Sequence, residues 1–307
     1  VPRPVQHAQH ALIALALATL SFPADGRTRA QQARPLKVFI SADMEGIAGV
    51  VQPSQLGPTG FEYGKAREWM TGEVKTAVAA AKAAGAAEIV VADSHGNAQN
   101  LLIDELPADV RVVRGFPRPL SMMQGIGPDV GAVVFIGYHA SEYGRDAVRG
   151  HTFSSARLLH VKLNGTEVSE GMFNAAIAGH FNVPVAFVSG DREAVAQLKA
   201  AIPSIGGVVV KDGLGYHSAE TTTPARSREM IQQGVTEALK RLASHQPYRV
   251  KTPIELEVGF KLTLDAERAS YVPGLSRVDA HAVRGTLPDM VQVTRLIQVL
   301  TSLEPPP

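Results

Sequence analysis

The feature that most constrains this chain is an alternation, from Leu36 onward, of short β-rich apolar runs with longer helical patterns. Strand candidates cover residues 37–41, 88–92, 110–113, 132–136 and 184–188, with a weaker one at 208–211. Between the first two, the alanine-rich stretch 61–84 is helix-forming and Gly85 supplies its C-cap. Further helical patterns span 192–201, 225–243 and 289–303, and another begins near Ser169 and runs through Asn174 and Ala178. Residues 158–168 read as a hairpin turning on Asn164-Gly165. Strands alternating with helices predict an α/β fold, a mostly parallel sheet flanked by helices. After Gln246-Pro247 the pattern changes, and residues 254–260 alternate apolar and polar like a solvated strand. The expected organisation is an α/β domain over 36–245 and a smaller C-terminal α+β portion over 246–307, with a soft boundary.

The N-terminus reads differently. Residues 11–20, ALIALALATL, form an apolar run preceded by Arg3 and followed by Pro23, Ala24 and a polar stretch. That is the layout of a secretory signal, with cleavage after Ala24 or Ala30; a disordered or amphipathic extension is the alternative. The run is too short for a membrane-spanning helix, which needs roughly twenty residues, and no other stretch reads as spanning. The expectation is a signal peptide or extension over 1–35 and an exported protein, periplasmic or secreted, with no membrane in the mature form.

Composition narrows the chemistry. A formal charge of +1 offers no footprint for nucleic acid. With no cysteine, disulfide scaffolds, thiolate metal sites and cysteine nucleophiles are excluded, so any metal must sit on carboxylates and on some of the 10 histidines.

Three strand candidates end in such residues. The run 37–41 leads into Asp43-Met44-Glu45-Gly46, 88–92 into Asp93-Ser94-His95-Gly96, and 132–136 into Gly137-Tyr138-His139. In open parallel sheets ligands bind at the carboxyl ends of the strands, so these segments are expected to converge on one crevice. On an extended strand end, positions i and i+2 face the same side, which lets Asp43 and Glu45 meet one metal. Taken singly, each segment also has a plainer reading. Asp43 and Glu45 fit a helix N-cap and first-turn acid, Asp93 a helix cap or an acceptor orienting the ring of His95, and a lone histidine a packed or surface residue. Glu170 opens a helix and could serve its dipole, and His151 lies in a loop before the hairpin.

Ser41-Ala42-Asp43-Met44-Glu45-Gly46 resembles the Ser-x-Asp-x-Glu-Gly signature of the D-aminopeptidase family of metallopeptidases. The segments Ala92-Asp93-Ser94-His95, Gly137-Tyr138-His139-Ala140, His151-Thr152 and Glu170 through Asn174-Ala175 agree in order, and the similarity runs from Lys37 to about Leu303. The resemblance implies an aminopeptidase acting on short peptides, D-amino-acid peptides such as D-Ala-D-Ala among them. It implies two zinc ions per subunit held by Asp43, Glu45, His95, His139 and Glu170, with Asp43 as the bridge. It further implies a catalytic His151 and a homo-oligomer, a decamer. Two metals held together lower the pKa of a shared water and polarise a scissile carbonyl. Asp93 is assigned to hold the ring of His95. Other readings are a binuclear phosphoesterase, which uses the same ligand types, and a non-catalytic exported protein that binds peptides or metal. No glycine-rich phosphate loop or arginine cluster surrounds the motifs, though Arg114 and Arg118 follow a strand.

Overall fold

In the computed structural model, residues 1–2 and 35–302 are described. The expected signal segment, at 11–20, lies outside the described residues, as do residues 303–307. In chain order the first strands are β1 (Leu36–Ala42), β2 (Ala86–Asp93), β3 (Arg111–Val113) and β4 (Ala132–Tyr138). A hairpin of β5 (Leu158–Leu163) and β6 (Thr166–Glu167) follows, then β7 (Val185–Asp191), β8 (Gly206–Gly215) and β9 (Ser218–Thr221). The last strands are β10 (Ile254–Phe260), β11 (Ser276–Arg277) and β12 (Ala282–Leu287). The helices are α1 (Tyr63–Ala83), α2 (Glu170–His180), α3 (Arg192–Ala201), α4 (Pro224–Lys240), α5 (Thr263–Ala269) and α6 (Met290–Thr301).

Seven strands form the main sheet in the order β3-β2-β1-β4-β7-β8-β9, parallel throughout except for the final β8–β9 pair. β4 and β7 are buried along their whole length, as expected of central parallel strands covered on both faces. The period-two alternation of β1 sorts its side chains into two cores. Val38 and Ile40 pack with Met70, Val74 and Val78 of α1 and Ile231 and Val235 of α4. Phe39, on the opposite face, shares a core with Phe173 and Ile177 of α2, Leu198 of α3 and Ile297 of α6. The chain winds outward from β1 in one direction through β2 and β3, then returns to build β4, β7 and β8 on the other side. The switch point therefore falls between β1 and β4, where a parallel sheet leaves a crevice at its carboxyl edge.

The second sheet is antiparallel, in the order β11-β12-β10-β5-β6. Its strands come from two distant parts of the chain, with Val258 of β10 opposite Val161 of β5. Both side chains lie in the same core as Phe39 and α2. The β5–β6 turn uses Asn164 and Gly165 with φ of 50° and 77°, the paired positive dihedrals of a type I′ hairpin.

Element ends differ from expectation for local reasons. α1 stops at Ala83 and Gly85 turns the chain with φ 95°, its N–H donated to Lys82 O. α4 ends at Lys240 rather than 243, because the ring of His245 folds back onto Ala238 O at 3.0 Å. α6 starts one residue later than the pattern suggested, with Asp289 as its N-cap accepting from Gln292 N at 2.9 Å. β9, α5, β11 and β12 were not anticipated. Among the described residues no helix is long and apolar enough to cross a membrane.

Candidate metal centre

The loop that leaves β1 is bonded to the end of β4 before the two diverge. Asp43 N donates to Ile136 O and Gly46 N to Gly137 O, both at 2.8 Å. The approach is so close that a Cβ on Gly46 would stand 2.0 Å from Tyr138 O. The loop after β2 joins through Ser94 N and Ala42 O at 2.8 Å. α2 is drawn to the same edge by its polar face: Asn174 Nδ2 donates to Tyr138 Oη at 2.9 Å, and that hydroxyl also meets Ser41 Oγ at 2.8 Å. Asn174 lies one turn beyond Glu170, so the contact that anchors the helix also presents the Glu170 carboxylate to the strand ends.

Asp43, Glu45, His95, His139 and Glu170 are thereby brought together, all buried. His95 Nδ1 stands 3.3 Å from Asp43 Oδ1 and 2.7 Å from Glu45 Oε2. His139 Nε2 stands 3.4 Å from Asp43 Oδ2 and 3.5 Å from Glu170 Oε1. His151 joins them: its ring stacks on that of His139, and its Nε2 lies 3.6 Å from Glu170 Oε1.

The three rings share one device. A backbone carbonyl can only accept, so each ring nitrogen facing one carries the proton. His95 Nε2 meets Leu56 O at 2.8 Å, His139 Nδ1 meets Ala140 O at 2.9 Å, and His151 Nδ1 meets Arg149 O at 2.7 Å. In each ring the other nitrogen is turned toward carboxylates. Asp43 Oδ2, Glu45 Oε2 and His139 Nε2 are buried and make no hydrogen bond; the short Glu45–His95 approach lacks the angle for one. Facing carboxylates, such a nitrogen takes up a proton, as the raised pKa values of His95 and His139 indicate, or a metal cation in the proton's place. The donor set therefore fits a metal: the ligand atoms of Asp43, Glu45 and His139 all lie within 4.8 Å of one another, as do those of His139, His151 and Glu170. Nitrogen and carboxylate oxygen are the donors zinc accepts once thiolates are excluded.

Electrostatics follow the same pattern. Burial, reinforced by the Glu45 carboxylate, pushes Asp43 up to about 7. Burial works against a charge on His139, yet the Glu170, Asp43 and Glu45 carboxylates outweigh it and raise its pKa to about 10. His151 goes the other way, held below its ordinary value by burial and then by His139 beside it.

Asp93 needs a correction. Its carboxylate does not hold the ring of His95; it accepts from Asn100 N at 2.6 Å, Leu101 N at 2.8 Å and Asn100 Nδ2 at 2.8 Å. The Asn100 amide also donates to His95 O at 2.6 Å, so Asp93 shapes the loop that carries the histidine while the ring is set by Leu56 O. Arg118 is buried, donates to Asp93 O at 3.0 Å and lies over the Phe116 ring, which commits it to the fold rather than to a phosphate.

The ligand residues line a cavity of about 620 Å³. Its walls include Phe116, Met122, Phe153 and Ser154, and Gln298 and Thr301 from α6. The wall from α6 was not foreseen, because the helix reads as an ordinary amphipathic pattern far along the chain. Nor was Lys211, buried on β8, whose ammonium donates to the carbonyl oxygens of Glu45, Ile47 and Val50. The only hint in the sequence is a lysine closing the apolar run Val208-Val209-Val210.

The family model for D-aminopeptidase peptidases matches residues 36–299. The chain belongs to the D-aminopeptidase family. Within it, the chain is similar to the D-aminopeptidase of Bacillus subtilis (strain 168), with 27% identity over 269 residues that cover 87% of this chain and 97% of the relative. It is also similar to a solved structure, the zinc-dependent D-aminopeptidase DppA from Bacillus subtilis, described as a self-compartmentalizing protease. That match has a TM-score of 0.84 and 27% identity, and covers 87% of this chain and 97% of the other. The two-sheet α/β architecture described above is thus the fold of a D-aminopeptidase.

Proposed function

We propose that this chain is a zinc-dependent aminopeptidase that releases the N-terminal residue from short D-amino-acid peptides such as D-Ala-D-Ala, using two zinc ions per subunit. The observation that carries the reading is the meeting of Asp43, Glu45, His95, His139 and Glu170 at one sheet edge, where Asp43 Oδ2, Glu45 Oε2 and His139 Nε2 are buried with no hydrogen bond. Asp43 would be placed to share metal with both histidines, because its Oδ1 faces His95 and its Oδ2 faces His139. Zinc, when bound, supplies a Lewis acid that lowers the pKa of water and polarises a carbonyl.

The chain's own groups supply the rest. His151 has its Nδ1 proton committed to Arg149 O and a bare Nε2 at the edge of the cluster. It takes a proton from the attacking water and delivers it to the leaving amine, work that a neutral imidazole with a lowered pKa is fitted to do. The substrate's free, neutral α-amine would bind at this cluster, which would favour cleavage of the first residue. The preference for D residues is supported by family membership and by the relatives' names. Assembly into a homo-oligomer, a decamer by resemblance, is supported by the relative described as self-compartmentalizing. Export to the periplasm or beyond is supported by the apolar segment at 11–20.

Turnover by the wild type beside Asp43→Ala tests the reading. Peptide hydrolysis lost in the variant together with bound zinc supports it. Zinc and peptide binding with no hydrolysis in the wild type would leave a binding protein.

A further inference from the structure

We infer that Lys211 is a positioning residue for the metal centre, its buried ammonium holding the backbone of residues 45–50 so that Asp43 and Glu45 present their carboxylates to zinc. The inference rests on the zinc reading above. Lys211 is 2% exposed, on β8 next to the strand that ends in Asp191. An ammonium has three N–H donors and no acceptor. Lys211 spends them on three carbonyl oxygens of a single loop, those of Glu45, Ile47 and Val50. Burying a charge this deeply is costly unless it is paired or fully hydrogen-bonded, and here the compensation comes from the loop that carries the ligands.

That loop has no helix or strand of its own to fix it. Its N–H groups are met one by one: Gly46 N by Gly137 O, Ala48 N by Glu73 Oε1, and Gly49 N by Thr221 Oγ1. The carbonyls on the β8 side are met by Lys211 alone at Glu45 and Val50, and by Lys211 with Val50 N at Ile47. Fixing the Glu45 carbonyl fixes the peptide plane from which its side chain departs, so turning that plane would swing the carboxylate away from His95 and Asp43. The ammonium also places a positive charge behind Glu45 and Asp43, with Glu73 and Asp191 the other carboxylates that face it. Lys211 touches neither the cavity wall nor any ligand atom, which separates it from the ligands themselves.

The test compares zinc affinity, by competition with a chromophoric chelator, in the full-chain wild type, Lys211→Met, Ser227→Ala and Asp43→Ala. The visible spectrum of each cobalt-loaded protein is recorded beside it. Ser227 donates to Glu73 behind the same loop at 2.6 Å and serves as the comparator for a buried hydrogen bond that reaches the loop only through Glu73 and touches no carbonyl of residues 45–50. Lys211→Met is expected to fold, to bind zinc about ten- to a hundredfold more weakly, and to show an altered cobalt spectrum, while Ser227→Ala binds zinc as the wild type does. Where the methionine variant does not fold, Lys211→Gln, which keeps two N–H donors, carries the same readout. A folded Lys211 variant with wild-type zinc affinity and an unchanged cobalt spectrum, whatever its melting temperature, overturns the inference and leaves the zinc reading intact. A wild type that binds no zinc, or an Asp43→Ala that binds it unchanged, overturns both.

Discussion

The imidazoles of His139 and His151 lie face to face, ring centroids 4.2 Å apart and planes 12° from parallel. Two stacked rings at this distance resist carrying charge together. The carboxylates of Glu170, Asp43 and Glu45 overcome burial to make His139 the basic member, whereas burial and His139 itself keep His151 below its ordinary value. In the reading proposed above, His139 would hold metal and His151 would carry the proton. His151→Ala is expected to lower kcat by about 10²- to 10⁴-fold with zinc content unchanged by elemental analysis. Loss of a zinc ion along with activity would instead make His151 a ligand.

Gly46→Ala tests the joint between the loop after β1 and the end of β4. The added carbon would stand 2.0 Å from Tyr138 O and 2.4 Å from the Gly137 carbonyl carbon, both backbone atoms of a buried strand. Neither can move aside as a side-chain tip could. The substitution is expected to destabilise the protein by at least about 1–3 kcal/mol and to weaken zinc binding by displacing Glu45. A melting temperature and a zinc titration both equal to the wild type's would contradict the close approach.

Glu73 gives a pH signature away from the ligands. Burial pushes its carboxyl from 4.5 up to about 7, against the opposing hydrogen bonds from Ser227 and Ala48. Between those two values the folded state keeps a proton that the unfolded state has released, so this group's contribution to stability falls as pH rises through the window. At pH 4.5 and below the contribution is intact, and above 7 it is lost. Glu73→Gln does not titrate. Its stability relative to the wild type should therefore rise between pH 4.5 and 7.5, by up to about 3 kcal/mol, read as a widening gap in melting temperature. A constant gap across that range would show that Glu73 is ionised throughout.

Much of this was legible in the sequence because it depends on local pattern. The strands that became β1, β2 and β4 are continuous apolar runs, and their ends carry Asp43, Glu45, His95 and His139 at the edge where a parallel sheet binds ligands. The type I′ hairpin at Asn164-Gly165 followed from residue type alone. What was hidden depends on pairing across the chain. His160 and Glu257 meet at 3.1 Å although 97 residues apart, and nothing in the alternation of 254–260 announces β5 as its partner. α5 has seven residues, too short for propensity to declare a helix that only packing sustains. The role given to Asp93 failed for a related reason. A carboxylate two residues before a histidine suggests an orienting partner, but three N–H groups of the following turn reach it first. Lys211 and Glu73 have no motif around them in the sequence, and only the packed loop of residues 45–50 between them explains their burial.

The most direct measurement is free amino-acid release from D-Ala-D-Ala beside L-Ala-L-Ala by the zinc-loaded protein, before and after removal of metal with a chelator. Release from the D isomer that disappears on chelation and returns with added zinc is the expected result. Release that persists in protein shown to be metal-free would contradict the assignment of Asp43, Glu45, His95, His139 and Glu170 as the reacting centre.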